Sequence, residues 1–505
     1  MDRFRQETSD SQARECTRRP HLGKKKVKTP LLSTLLSQFS DWSQATSQKR
    51  CAERLYQHTL SELLCLGRHN VTGLLSTQGK QEEDWSAAYR LYQKERFDAQ
   101  EIRRSLLKEV LGFQKKEAPL VAALDDTILR KTGKKIPKTK IFRDPLSPKF
   151  HTNLIRGQRF IQLSAAVSDS EGMARMIPVS LREAPCVLKP KKTASLEEWQ
   201  AYRCRIREQN LSREGVSGIS DLRQDLDQIA SPDRGLWVTV DGSYTNTTVL
   251  RHLPDRTVLI GRVRKDAALY FAPATQKEKG RKKTYGEKAP TPEALRKDES
   301  ISWQSVEAFA TGKSHGFQIK TRTELKWRVA GEHQNLRLIV IRPLGYRLNQ
   351  KSRLLYRQPA YLICTNPDLP VAQVIQAYLW RWDIEVNFRD EKTILGMGQA
   401  GVRHPDSVQK VPQMIQQAYA SLLIAGIKIF GLRGIPNPVS KPKWNRKPNK
   451  IRASTQDLLQ QLRFEMWGIG LRSLHFAGFR NNPLQILKPE KSFFDPLNAA
   501  LYAFQ

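Results

Sequence analysis

The chain has 505 residues, 39% of them hydrophobic, and its 85 Lys and Arg outnumber 50 Asp and Glu to give a formal charge of +35. Such a length implies roughly two to four domains, and such a charge asks for a polyanionic partner rather than a merely soluble surface. A membrane is excluded, since no apolar run reaches the ~20 residues of a spanning helix and the opening MDRFRQETSDSQARECTRRP lacks the apolar core of a signal peptide. Six scattered cysteines with no CxxC pair fit reduced cytosolic thiols and give no disulfide framework or zinc site. The expected partner is nucleic acid, in a cytoplasmic, nucleoid-associated protein.

In chain order, residues 1–30 form a polar, basic arm ending in GKKKVKTP. From 31 to about 115, apolar residues recur at i, i+3, i+4 spacing and predict helices. Within them GRHNVTGLLSTQG has the look of the turn-bearing element of a helical DNA-binding module, with an ordinary bundle as the other reading. APLVAALDD is a buried strand ending in two aspartates; RFIQLSAAVSD and ARMIPVSL read as a hairpin. Residues about 194–229 are helical and charged, GLWVTVDG is a second buried strand stopping at an acid, and TVLIGRVR a further short one. A basic interruption, QKEKGRKKTYGEKAPTPEALRKDES, precedes strands FQIKTRTELKWRVAG, LRLIVIRP and PAYLICTN, expected to form a separate β-rich piece. AYLWRWDIEVNFRDEKTILGMG and VQKVPQMIQQAYASLLIAGIKIF predict helices, IPNPVSKPKWNRKPNKIR a linker, and TQDLLQQLRF a last short helix. This order suits a mixed α/β sheet with helices packed against it.

On a helix through 377–398, Tyr378, Arg381, Glu385 and Lys392 fall at roughly 0°, 300°, 340° and 320°, a single stripe, with Asp383, Asp390 and Glu391 on the other side. A row of cationic and phenolic groups around one acid suits contacts along successive phosphates. Taken alone, Glu beside Arg is a solvated pair, and Asp-Gly in VDGSY is a common turn signal. Together, one acid from ALDD, the acid of VDG and Glu385 make an oxygen-only set able to hold Mg²⁺. Adjacent strand residues face opposite ways, so only one of Asp125 and Asp126 can enter such a site.

The Tyr-x2-Arg-x3-Glu-x6-Lys spacing, complete here as Tyr378, Arg381, Glu385 and Lys392, resembles the YREK signature of the IS4-like group of DDE transposases, over roughly residues 65–430. ALDDT resembles the segment bearing that group's first catalytic aspartate and VTVDGSY the second. The resemblance implies a ribonuclease H-like catalytic core interrupted by a β-strand-rich insertion, with a helical N-terminal DNA-binding domain. Its boundaries would be a flexible basic arm over 1–30, the helical domain over 31–115, the core over 116–265 and 361–430, the insertion over 266–360, and a basic linker and C-terminal region over 431–505. Asp125, Asp241 and Glu385 would be the catalytic metal ligands for two Mg²⁺ ions (Mn²⁺ as a substitute), and Tyr378, Arg381 and Lys392 would grip phosphates. Trp303 and Trp327 are candidates to receive a flipped base, with core packing the favoured reading of both.

The implied activity is cut-and-paste transposition: binding of terminal inverted repeats, metal-dependent strand cleavage and strand transfer, with a homodimer joining two double-stranded DNA ends. An inactive or domesticated DNA-binding relative, or a non-mobile nuclease with the same core, are the alternatives.

Overall fold

The computed structural model describes residues 29–148, 150–230, 233–273, 283–331, 334–347, 352–437, 450–468 and 500. Nearly all of the basic arm expected over 1–30, much of the linker in 431–505 and all but one residue of the tail beyond 468 lie outside the described residues.

Helices α1 (Pro30–Asp41), α2 (Lys49–Leu64), α3 (Val71–Thr77), α4 (Ser86–Gln93) and α5 (Ala99–Gly112) occupy the stretch read as helical. Pro30 opens α1, where its missing N–H costs no helical bond. No capping side chain precedes it; the Glu465 carboxylate accepts from the N–H groups of Leu31 (3.3 Å) and Leu32 (2.8 Å) instead. The far end of the chain thus closes the first helix. Asn70 caps α3 by accepting from the Gly73 N–H at 2.7 Å, satisfying a donor the helix leaves open.

Strands β1 (Leu120–Arg130), β2 (Lys140–Arg143), β3 (Leu154–Ser168) and β4 (Ala174–Glu183) come next, then helices α6 (Leu196–Glu208) and α7 (Leu211–Ile229). They are followed by β5 (Leu236–Val240), α8 (Thr247–Arg251), β6 (Thr257–Arg262), β7 (Tyr270–Phe271) and α9 (Pro292–Lys297). Strands β8 (Gln304–Ala310), β9 (Lys313–Lys326), β10 (Leu336–Ile341), the small ribbon β11 (Gly345–Tyr346) with β12 (Leu355–Tyr356), and β13 (Ala360–Cys364) complete the β structure. Four α-helices follow, α10 (Val371–Trp380), α11 (Asp383–Thr393), α12 (Ser407–Phe430) and α13 (Thr455–Arg463), the last running into a π-helical turn over Phe464–Gly468.

One mixed sheet runs β3-β1-β5-β6-β13-β10-β9, with β2 and β4 on the outer edge of β3 and β7 and β8 pairing with β9. β3 and β4 are antiparallel to their neighbours, whereas β5 and β6 run parallel to β1. The strands expected as a separate piece do not make a main sheet of their own: β13 pairs with β6 and β10 with β13, so they prolong the same sheet. The result is an open mixed α/β sheet flanked by helices, broadly consistent with a ribonuclease H-like core.

Alternation along β1 divides its side chains between two apolar layers. Leu120, Ala122 and Leu124 join the layer shared with the N-terminal helices and the buried α12, which packs on α1, α2, α5 and β4. Val121 and Ala123 join the other, with Val374, Ile375 and Ala377 of α10 and Ile384 and Phe388 of α11. No helix among the described residues is long and apolar enough to cross a membrane, and the five described cysteines are free.

Candidate active site

The ladder between the parallel strands β1 and β5 ends at Leu124 opposite Val240. Asp125 and Asp241 are therefore the next residues on neighbouring strands. Asp125 has the parity of Val121 and Ala123, so it belongs to the face covered by α10 and α11. Asp126 belongs to the other: its carboxylate accepts from the Tyr244 hydroxyl (3.1 Å) and forms an ion pair with Arg159, whose Nε stands 2.7 Å away. Strand parity thus separates two aspartates that the sequence leaves side by side.

Asp241 accepts from the Ser243 N–H at 2.9 Å and the Ser243 hydroxyl at 2.5 Å, the local turn its Asp-Gly sequence signals. Asp125 accepts the Asp126 N–H on Oδ1 (2.8 Å) and Arg381 Nη1 on Oδ2 (3.1 Å).

The helix expected over 377–398 is not continuous. It divides into α10 and α11 at Arg381 and Trp382, where the N–H groups of Arg381, Trp382, Ile384 and Glu385 all bond three residues back rather than four. The tightened turn leaves Trp382 64% exposed, while the Trp380 indole donates to the Gly172 carbonyl at 2.8 Å. Arg381 lies inside the bend, its side chain only 12% exposed, and it donates to Glu385 Oε1 at 3.4 Å as well as to Asp125. Its guanidinium also stands 5.7 Å from the Tyr378 ring centroid. This is no solvated surface pair; one buried cation holds two of the predicted acids.

Lys392 lies further along α11, over the Phe388 ring at 5.9 Å, where burial lowers its pKa and the charges of Glu391, Arg130 and Asp126 act on it. The four YREK side chains therefore do not form one uniform rail. Tyr378, Glu385 and Asp125 each meet the Arg381 guanidinium, and Lys392 marks a second position toward Arg130.

Burial pushes the Asp125 carboxyl up to about 6, and the neighbouring Asp241 carboxylate adds to the rise against the Asp126 N–H and Arg381. Burial also raises Asp126, opposed by Arg159 and Tyr244. More negative charge is gathered than Arg381 alone neutralises. An all-oxygen set with surplus charge suits a hard divalent cation such as Mg²⁺. As they stand, however, no three His, Cys, Asp or Glu side chains among the described residues are grouped as a metal cage. Asp125 and Glu385 share Arg381 in its place.

Trp303 and Trp327 both pack, partly buried, against the main apolar core. The Trp303 ring is covered by Lys320 Nζ at 4.6 Å and the Arg342 guanidinium at 5.7 Å, a packed rather than an open face. Several partners were not legible in the sequence: Arg159 and Tyr244 on Asp126, and Arg452, which pairs with Asp383 from 69 residues downstream. The α2–α3 connection docks beside this region too, the His69 N–H donating to Gln399 Oε1 at 2.8 Å.

No curated protein matches the chain. The family described as DDE superfamily endonuclease matches residues 34–331, which is more than half of the chain and includes Asp125 and Asp241 but ends before α10. With two acids directly after the last β1–β5 pair inside that match, the chain belongs to the DDE superfamily endonucleases, a family of nuclease-type enzymes.

Proposed function

We propose that this protein is a cut-and-paste DNA transposase of the IS4-like, YREK-bearing kind. The observation supporting this reading best is the meeting of distant residues: Asp125 and Asp241 follow the last paired residues of neighbouring strands, and Arg381 joins Asp125 to Glu385. On this reading Asp125, Asp241 and Glu385 would hold two Mg²⁺ ions, with Mn²⁺ able to replace them. Such ions, when bound, activate a water oxygen and stabilise the leaving oxygen of an in-line displacement.

The protein's own groups do the rest. Arg381 and Tyr378 present a guanidinium and a phenol beside the acids, suited to a phosphodiester oxygen. Lys392 supplies a second cationic contact farther along the strand. The half-buried setting limits water around these groups, which strengthens their hydrogen bonds to phosphate. The reading makes the sheet from β1 to β6 a ribonuclease H-like core and the strands after it an insertion ahead of the α10–α11 pair. Trp303 and Trp327 are assigned to packing, in line with their burial. Two DNA ends must be joined in one event, so the working form is a homodimer.

The test is cleavage of duplex DNA carrying the inverted repeats that flank the reading frame, with Mg²⁺, by the wild type and by Glu385→Gln. The reading expects cutting at the repeat ends by the wild type and none by Glu385→Gln, with binding of the DNA retained. Cutting by the variant at the wild-type rate would remove Glu385 from the site and with it this reading.

A further inference from the structure

The segment from Arg130 to Arg159 contains ten Lys and Arg and a single acid, Asp144. Asp144 is already taken: it pairs with Arg130 at 2.6 Å and accepts from the Leu146 N–H at 3.0 Å. Lys138 pairs with Glu183 and Arg159 with Asp126, but Lys134, Lys135, Lys140, Arg143 and Arg156 make no ion pair among the described residues.

This segment leaves the sheet. β3 pairs with β1 only from Gly157 onward, so its start pairs with β2 alone, Leu154 opposite Arg143 through Gly157 opposite Lys140. A two-stranded ribbon therefore extends past the last β1 pair. Its direction is set by register: Asp125 lies opposite Gln162 and Arg130 opposite Gly157, so the ribbon continues past Arg130, in the same direction in which Asp125 and Asp241 follow the β1–β5 ladder. Leu154 is eight residues from Gln162, a reach of about 26 Å at ~3.3 Å per residue. That is the length of roughly eight base pairs of duplex.

The ribbon also exposes large apolar side chains that the fold does not use. Phe150 is 93% and Leu146 85% exposed, with Leu154 and Ile141 also open. A cluster of this kind marks an interaction surface. The missing partner is polyanionic, because almost nothing on the segment can receive another cation-rich surface. Two copies meeting through their own ribbons would set like charge against like. The charge also continues back to the acids, since Lys392 feels Arg130 directly.

We propose that the 130–159 ribbon is a duplex-gripping arm. Its unpaired Lys and Arg contact phosphates of the DNA flanking the cleavage position, and Leu146 and Phe150 pack into a groove, as apolar wedges do at the base steps they open. The inference rests on the DNA-cleaving reading above and adds a second, separate contact to it.

The experiment measures binding of a labelled 40-base-pair duplex across a salt series. It compares the wild type with a charge variant (Lys134→Gln, Lys135→Gln, Lys140→Gln and Arg143→Gln) and a tip variant (Leu146→Ser, Phe150→Ser). All six positions except Lys134 and Lys135 lie on β2 or the tip, none belongs to the acid site, and thermal unfolding checks that each variant keeps the wild-type fold. The charge variant is expected to bind at least about tenfold more weakly at low salt and to lower the slope of log affinity against log salt by about 3.6, near 0.9 for each of the four lost phosphate contacts. The tip variant is expected to weaken binding with the slope unchanged. Wild-type affinity and slope in both variants would overturn the arm while leaving the active-site reading intact, and a wild type that binds no duplex would overturn both. Phosphatidylserine vesicle binding and sedimentation are measured alongside. Loss of either in the variants, with duplex binding unchanged, would assign the ribbon to a membrane or a second copy and overturn the proposal.

Discussion

Asp383, Asp390 and Glu391 lie on one side of α11 and Glu385 on the other, and the two sides treat their carboxylates differently. Asp383 accepts from the Met176 N–H at 3.0 Å and pairs with Arg452. Asp390 receives the Thr455 hydroxyl at 2.6 Å and both Nε and Nη2 of Arg389. Glu391 is wholly buried; with the Gln162 amide turned to the orientation that satisfies both of its ends, its nitrogen lies 3.1 and 3.2 Å from the Glu391 oxygens, and burial holds the Glu391 pKa far above the usual carboxylate range. Each has a partner supplied by the fold. Among the described residues Glu385 pairs only with Arg381, itself shared with Asp125, and 40% of its side chain is open to solvent. Acids on the packed side are held by partners that the fold supplies; the acid on the open side keeps solvent access, as the proposed chemistry requires. Four carboxylates within nine residues thus differ by partner and exposure, not by residue type.

Substitutions on the two sides should therefore fail in different assays. The largest effect is expected for Glu385→Gln: DNA cleavage should fall by at least about 1,000-fold, equivalent to roughly 4 kcal/mol of lost transition-state stabilisation. Its urea midpoint should stay at the wild-type value. A large shift in that midpoint would place Glu385 with the structural acids. Next comes Asp383→Ala, which strands Arg452 in a half-buried setting. Removing one partner of such a pair costs about 3 kcal/mol, read as a lower urea midpoint with unchanged m-value; an unchanged midpoint would mean that the pair adds nothing.

Glu391→Gln should show its effect through pH. The folded pKa of Glu391 is raised, so below the ordinary carboxylate range the group is protonated in both states and contributes no difference. Above that range the unfolded chain releases the proton while the folded chain keeps it. Wild-type stability then falls with rising pH, at up to about 1.4 kcal/mol per pH unit, until the raised folded pKa is passed. Glu391→Gln lacks this loss, so its melting temperature should gain on the wild type from pH 4 to pH 8, and parallel curves would refute the buried, protonated state. Smallest of all should be the effect of Asp126→Asn on cleavage, within about tenfold of wild type, because Asp126 faces Arg159 and Tyr244 rather than α11. A loss as deep as that of Asp125→Asn would mean that parity does not divide the two aspartates.

Local patterns were readable where they reflect local physics. The runs ending at Asp125 and Asp241 read as buried strands because their side chains are apolar on both faces, as burial on both sides of a sheet requires. The helices of 31–115 and α12 read correctly from 3.6-residue periodicity. Register was not readable. That Leu124 meets Val240, which sets Asp125 beside Asp241, depends on pairing between strands more than a hundred residues apart. The division of the YREK helix at Arg381 was missed because an unbroken apolar pattern carries no sign of a tightened turn. The Arg452–Asp383 and Gln162–Glu391 contacts are equally long-range. The 130–159 ribbon escaped a pattern-based reading for the opposite reason: its apolar residues are interspersed with charge, and Ile141, Leu146, Phe150 and Leu154 stay exposed. Its excess of ten cations over one acid was the available signal.

Manganese titration followed by electron paramagnetic resonance tests the proposed shared cation site without requiring DNA ends. The folded wild type should bind Mn²⁺, and Asp125→Asn, Asp241→Asn and Glu385→Gln should each weaken that binding by at least tenfold, roughly 1.4 kcal/mol. Wild-type Mn²⁺ affinity in any one of the three variants would show that its carboxylate stands apart, and the trio would no longer form one site.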